Sequence, residues 1–228
     1  MSFIKSIRAL TKLEKIIWIT SLLVIFASST FFPNPDWLSV ITSIIGATAL
    51  IFVGKGDPIG QLITIIFAVF YGAVSLKFRY YGEMITYLGM TAPSALWALI
   101  TWLKNPFTER QVKVGKMSAL KWLALIVSAL LTTAIMGFIL AYFNTPNLVV
   151  SIVSVTTSFV ASMLTILRSP YYALFYALND IVLITLWILA TTVNIGYLPM
   201  VICFVIFLVY DIYGFINWHS IKQKQAEQ

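Results

Sequence analysis

The sequence holds one cysteine, one histidine and little charge. Cys203 has no second thiol to pair with, so neither a disulfide framework nor a Cys-rich metal site is available, and its place inside an apolar run suits packing. The sole histidine, His219, sits at the end of the last apolar run, which excludes a Ser-His dyad or a His-based zinc site at membrane depth. No GxxxxGK[ST] loop is present to hold a nucleotide. Asp180 and Asp211 lack the Tyr-Asp and Gly-Leu-Gly-Asp settings of intramembrane aspartyl proteases. The chain reads as a non-enzyme with no cofactor and no metal.

What is abundant is apolar. Of the 228 residues, 60% are hydrophobic, 15% aromatic and only 10% charged, and the mean hydropathy is +0.93. That composition belongs to an integral membrane protein. Roughly 20 apolar residues span a bilayer as a helix, and the pattern places spans at 16–32, 37–53, 59–76, 83–103, 122–143, 147–167, 171–191 and 198–218. The polar-in, apolar-out alternation of an outer-membrane barrel is missing, so the expected fold is an all-α bundle of about eight transmembrane helices.

The net charge of +7 does not point to nucleic acid, because the basic residues lie in loops and tails. Eight spans put Lys5, Arg8, Lys12, Lys15, Lys55, Lys104, Arg110, Lys113, Lys116, Lys121, Arg168, Lys222 and Lys224 on one side and only Lys77 and Arg79 on the other. Positive-inside bias makes the richer side, with both termini, cytoplasmic. The basic start resembles a signal peptide, but "FASSTFFPNPDW" runs straight into another span, so the first run reads as a retained helix, with processing left open.

Two blocks resemble one another. "YGEMITYLGMTAPSALWALITW" (81–102) and "YLPMVICFVIFLVYDIYGFINW" (197–218) share Tyr, Met and Trp at the same separations. One span earlier, Pro58 in "GDPIG" matches Pro170 in "RSPYY". The expected organisation is a basic N-terminus with an extra helix (1–36), a three-helix repeat (37–103), a basic loop and linker helix (104–146), a second repeat (147–218) and a tail (219–228). One linker between three-helix blocks makes the repeats parallel, a transporter pattern with the substrate site between halves. In this register Phe67 and Ala68 fall opposite Asn179 and Asp180, and Ala95 and Thr101 opposite Asp211 and Asn217, so polar chemistry concentrates in the second block.

Helical spacing gives the stretch "YYALFYALND" a face. Tyr172, Phe175, Tyr176 and Asn179 follow i, i+3, i+4, i+7, with Asp180 one turn beyond Tyr176. Such a face suits a flat heteroaromatic ring; an interfacial aromatic belt with Asn179 as interhelical glue is the other reading. A carboxylate at the bilayer centre costs roughly 2.5–3.5 kcal/mol, so Asp180 and Asp211 must face the bundle interior, as structural hydrogen bonders, substrate contacts or proton carriers. Gln61, Thr64 and Tyr71 are candidates to line the opposite side. Glu83, near Lys77 and Arg79, is expected in an interfacial ion pair or an outer gate, with Tyr87 and Asn217 in secondary positions. Asn217 also reads as a cap of the last helix, Trp102 and Trp218 as interfacial anchors, and Pro93 as a kink.

"YYGEMITYLGMTAP" with "WLKNPF", then "NDIVLITLW" and "DIYGFINW", resemble the PnuC family of bacterial vitamin transporters over about residues 37–218. The resemblance implies a core like that of the sugar-transporting SWEET proteins (3+1+3), a homotrimer in the bacterial inner membrane, and facilitated uptake of a vitamin-type nucleoside trapped by a cytosolic kinase. Nicotinamide riboside is the first substrate it implies and thiamine or another flat vitamin the alternative; a non-transporting scaffold is the reading from a different class. Many members carry WxxWxxxN where this chain has Tyr172, Phe175 and Asn179, keeping the amide and replacing both tryptophans.

Overall fold

The computed structural model describes residues 3–30, 36–78, 80–145, 147–193, 195 and 198–227. Arg79, Tyr197 and residues 31–35, which bear on the charge balance, the repeat alignment and the first interhelical break expected from the sequence, lie outside them. The described elements are α1 (Phe3–Arg8), α2 (Lys12–Thr30), α3 (Trp37–Lys55), α4 (Ile59–Lys77), α5 (Tyr81–Thr86), a π-helical turn (Tyr87–Thr91), α6 (Ala92–Lys104), a short hairpin of β1 (Pro106–Thr108) and β2 (Gln111–Val112), α7 (Ala119–Tyr142), α8 (Leu148–Ile166), α9 (Tyr172–Val193) and α10 (Leu198–Ala226). Among the described residues, eight helical segments are long and apolar enough to cross a membrane, α5, the π turn and α6 forming one of them.

Local chemistry sets the helix ends. Thr11 and Glu14 form a capping box that opens α2: the Thr11 N–H donates to Glu14 Oε2 at 2.6 Å and the Glu14 N–H to Thr11 Oγ1 at 3.2 Å. Gly56, left-handed at φ 75°, closes α3. Asp57 then accepts from the Ile59 N–H at the start of α4, while its other oxygen takes the Ser6 hydroxyl and ties α1 to this turn.

Three features depart from the pattern-based reading. α10 continues to Ala226, past the expected end at 218, because Lys and Gln are good helix formers and Gln225 is held by the loop at 112–114. Asn217 therefore caps no helix end. The fourth span is not continuous α-helix: the Ala92 N–H reaches back five residues to the Tyr87 carbonyl. Pro93 has no N–H to give the preceding turn, and the chain absorbs the loss by widening one turn.

The order of packing puts the cavity at the centre. α3 packs on α4 and α10, α9 on α8 and α10, and α6 on α4 and α8, closing a ring around the site. α2 lies outside against α3 and α10, where Glu14 accepts from Lys55 at 2.8 Å and from the Tyr213 hydroxyl at 2.6 Å. α7 packs chiefly on α8, and Leu120, Leu130, Ile135 and Phe138 on its outer side are exposed, as a lipid-facing helix requires.

Candidate functional site

Small hydroxyl residues let the helices approach where the cavity forms. Along α8, Ser151, Ser154, Ser158, Ser162 and Thr165 recur at helical spacing and are all buried. On α3, Ser39, Ser43 and Gly46 do the same. Gly46 gives room to the aromatic wall: a Cβ there would crowd the ring ends of Phe207 and Phe67.

Between these faces lies a cavity of about 60 Å³. Phe67, Tyr87, Tyr176 and Phe207 give it aromatic walls. Gln61, Asn179, Asp180 and Asp211 provide its amides and carboxyls, and Thr64, Thr91, Ser158 and Thr165 its hydroxyls. No Lys or Arg lines it among the described residues. Tyr87 and Thr91, at the two ends of the π turn, both lie on the cavity wall.

Asn179 is 3% exposed, and its carbonyl oxygen accepts from Thr157 at 2.8 Å and Ser154 at 3.4 Å. The amide is thereby fixed with its N–H donors left for the cavity. Asp180 and Asp211, both 4% exposed, line the same cavity. Asp180 Oδ2 has no hydrogen-bond partner among the described residues. Tyr176 exchanges a hydrogen bond with Ser162 at 3.2 Å.

The other expected residues stand behind or below this lining. Tyr71 is buried behind the wall, its ring 4.1 Å from that of Tyr87 and its hydroxyl accepting from the Trp187 indole. Tyr172 donates to the Val53 carbonyl at 3.3 Å and lies with its ring 5.0 Å from that of Trp218, outside the lining; Phe175 packs in the same cluster. Asn217 donates to the Gly54 carbonyl at 2.9 Å. Trp102 and Trp218, expected as surface anchors, are fully buried. Glu83 is 4% exposed and faces Ser154 at 3.5 Å. Of the two bases expected near Glu83, Lys77 pairs with Asp36 at 2.8 Å instead and reaches solvent while Glu83 turns inward between helices; Arg79 lies outside the described residues. Residues missed by sequence reasoning are Ser154 and Thr157, which hold Asn179, and Phe67 and Phe207, which wall the cavity. The serine stripe on α8 was the available signal.

Comparison with known proteins places this geometry. The family described as nicotinamide mononucleotide transporter matches residues 36–220. The nicotinamide riboside transporter PnuC of Neisseria mucosa is 29% identical over 203 residues, covering 86% of this chain and 77% of that protein. Its Haemophilus influenzae counterpart is 24% identical over 216 residues, covering 92% and 91%. The crystal structure of the vitamin B3 transporter PnuC superposes with a TM-score of 0.84 at 26% identity, over 95% of this chain and 94% of that one. The protein is thus a multi-pass membrane transporter rather than an enzyme, and by its match across about four of every five residues the chain belongs to the nicotinamide mononucleotide transporter family.

Proposed function

We propose that the chain takes up nicotinamide riboside through this cavity by facilitated diffusion, with both termini in the cytoplasm of a bacterial cell and a cytosolic kinase trapping the product. The observation that carries the substrate class is Asn179: its carbonyl is occupied and its donors face a cavity bearing two carboxyls and no base. Nicotinamide riboside offers a carboxamide acceptor, a flat pyridinium cation and ribose hydroxyls. Asn179 and Gln61 suit the first; the rings of Tyr176, Phe67 and Phe207 suit the second by stacking and cation–π contact; Asp180 and Asp211 suit the third. Tyr71 supports this lining through Tyr87, and Tyr172 and Phe175 from below. The two curated relatives bear the name of this substrate.

The arrangement of donors and acceptors supports a parallel duplication joined by α7. Trp102 and Thr101 donate to the carbonyls of Thr165 and Ile166, while Trp218 and Asn217 donate to those of Val53 and Gly54. Donors and acceptors occupy matched positions of the two blocks, and each block ties into the other. At about 60 Å³ the cavity is smaller than the roughly 150 Å³ that admits benzene. A nucleoside enters only when the blocks part, and these crossed bonds close the face bearing both termini. The homotrimer follows from the family resemblance alone.

Uptake of labelled nicotinamide riboside into cells lacking their own importer tests the substrate, and no uptake by wild type sinks it. The carboxyl pair suits any flat cation, which keeps thiamine as the second reading; competition by a vitamin panel separates the two. A scaffold without transport would show no ligand-induced thermal shift that depends on Asp180 or Asp211.

A further inference from the structure

A second, larger cavity of about 550 Å³ opens at the face that carries both termini, away from the central site. Its walls come from the loop after the hairpin, the turn entering α9, the start of α7 and the end of α10. Lys113, Lys116 and Lys222 line it, and no carboxylate does among the described residues. None of the three lysines is in an ion pair among the described residues. Ser169 also lines it, and this side chain is 0% exposed with its hydroxyl unpartnered. Trp122 and Tyr171, their rings 5.8 Å apart and crossed at 62°, form an aromatic edge.

The walls are held in place. The Gly115 N–H donates to the Arg168 carbonyl at 2.9 Å, and a Cβ on Gly115 would stand 2.1 Å from the Leu167 carbonyl oxygen, so the loop lies directly on the α8–α9 turn. Gln225 clasps the loop from α10, accepting from the Val114 N–H at 2.8 Å and donating to the Val112 carbonyl at 3.0 Å. Three lysines on the walls of one cavity with no carboxylate among its described lining, a buried hydroxyl that needs an acceptor and the positive end of α9 all favour a group with several anionic oxygens.

We propose that this cavity is a phosphate-binding site, taking either the head group of an anionic phospholipid or a free phosphate on the same side of the membrane. The crossed aromatic pair, sited where a helix leaves the bilayer, suits a group held at the membrane surface.

The test uses the full-length protein in phosphatidylcholine nanodiscs and reads thermal unfolding. One arm adds inorganic phosphate against chloride at equal ionic strength; the other replaces part of the phosphatidylcholine with phosphatidylglycerol. Wild type should gain on the order of 3 °C in at least one arm, and the responding arm identifies the source. The triple substitution Lys113→Ala, Lys116→Ala, Lys222→Ala should weaken the apparent affinity by about tenfold or more, and Ser169→Ala by less. Lys222→Gln, at an exposed position, serves should the triple variant misfold. Asn179→Ala should keep the full response, which separates this site from the transport site. The proposal is overturned if wild type responds in neither arm, or if the response survives loss of the lysines.

Discussion

Trp102 and Trp218 lie with ring centroids 5.3 Å apart at 52°, and each passes its indole N–H across the interface: Trp102 to the Thr165 carbonyl at 2.9 Å, Trp218 to the Val53 carbonyl at 3.0 Å. Both side chains are fully buried. Trp102→Phe and Trp218→Phe should each cost about 0.5–1.5 kcal/mol, the net worth of one hydrogen bond, because the Thr165 carbonyl keeps the Arg168 N–H and the Val53 carbonyl keeps the Gly56 N–H and the Tyr172 hydroxyl. Because the rings touch, the double variant should cost less or more than the two singles added. Unfolding in detergent measures the cycle, and uptake should fall in both singles if these bonds set the closed state.

Asn179 should matter to binding more than to folding. Asn179→Ala removes the donors turned to the cavity, and a site built to hydrogen-bond its ligand loses about tenfold to a hundredfold in affinity when that bond is gone. Thr157→Val removes the 2.8 Å bond that orients the amide and should give a smaller loss of the same sign. Ligand titration by thermal shift checks both, and equal losses from the two variants would contradict the positioning role.

Gly46 and Gly60 separate cavity shape from fold. An alanine methyl at Gly46 meets the ring ends of Phe207 and Phe67, which line the cavity. Gly46→Ala should lower substrate affinity and cost about 1–3 kcal/mol through overpacking. At Gly60 the added methyl meets Val53 N at 2.5 Å, backbone that cannot rotate away. Gly60→Ala should therefore cost more stability than Gly46→Ala, a ranking that thermal unfolding decides.

On the opposite membrane face, Asp36 accepts from Lys77 at 2.8 Å and from Ser39 at 2.6 Å. Partial burial works against its charge, but the Lys77 hydrogen bond, the Ser39 hydrogen bond and the Lys77 charge together hold the carboxyl below its ordinary range. A lowered folded value means that the pair stabilises above the unfolded value near 4 and fades as pH falls through the folded one. Both side chains are partly exposed, so Lys77→Ala should cost only about 0.2–1 kcal/mol at pH 7. The gap between variant and wild type should narrow below about pH 4 in paired thermal scans.

Hydropathy alone made the eight spans legible, because each helix must bury its backbone polar groups in lipid and present apolar side chains to it. It also exposed the Asn179–Asp180 pair, since polar groups stand out in an apolar run. It did not reveal that Glu83 turns inward to Ser154, since its depth depends on how α5 meets α8. The π turn at Tyr87–Thr91 hid for a related reason: Pro93 announces a missing donor but not whether the helix kinks or widens. The hydroxyl stripe on α8 was present but faint, because Ser and Thr hardly change a hydropathy average.

Tyr172 and Phe175 stand where many members of the family carry tryptophan, and the structure separates the two positions. Tyr172 is 1% exposed, its hydroxyl bonded to the Val53 carbonyl, and it lies against Trp218 and Gly214, where even a Cβ on the glycine would come within 3.2 Å of that hydroxyl. An indole is larger and its N–H sits elsewhere on the ring. Tyr172→Trp should therefore overpack this cluster by about 1–3 kcal/mol and leave Val53 with one donor fewer. Phe175 is only half-buried at the margin of the same cluster, so Phe175→Trp should fold with little loss. If the tryptophan pair is a substrate feature that this chain has dropped, Phe175→Trp should raise affinity for nicotinamide riboside while Tyr172→Trp lowers stability. If instead both variants unfold at the wild-type temperature, the packing of Tyr172 is looser than its contacts imply.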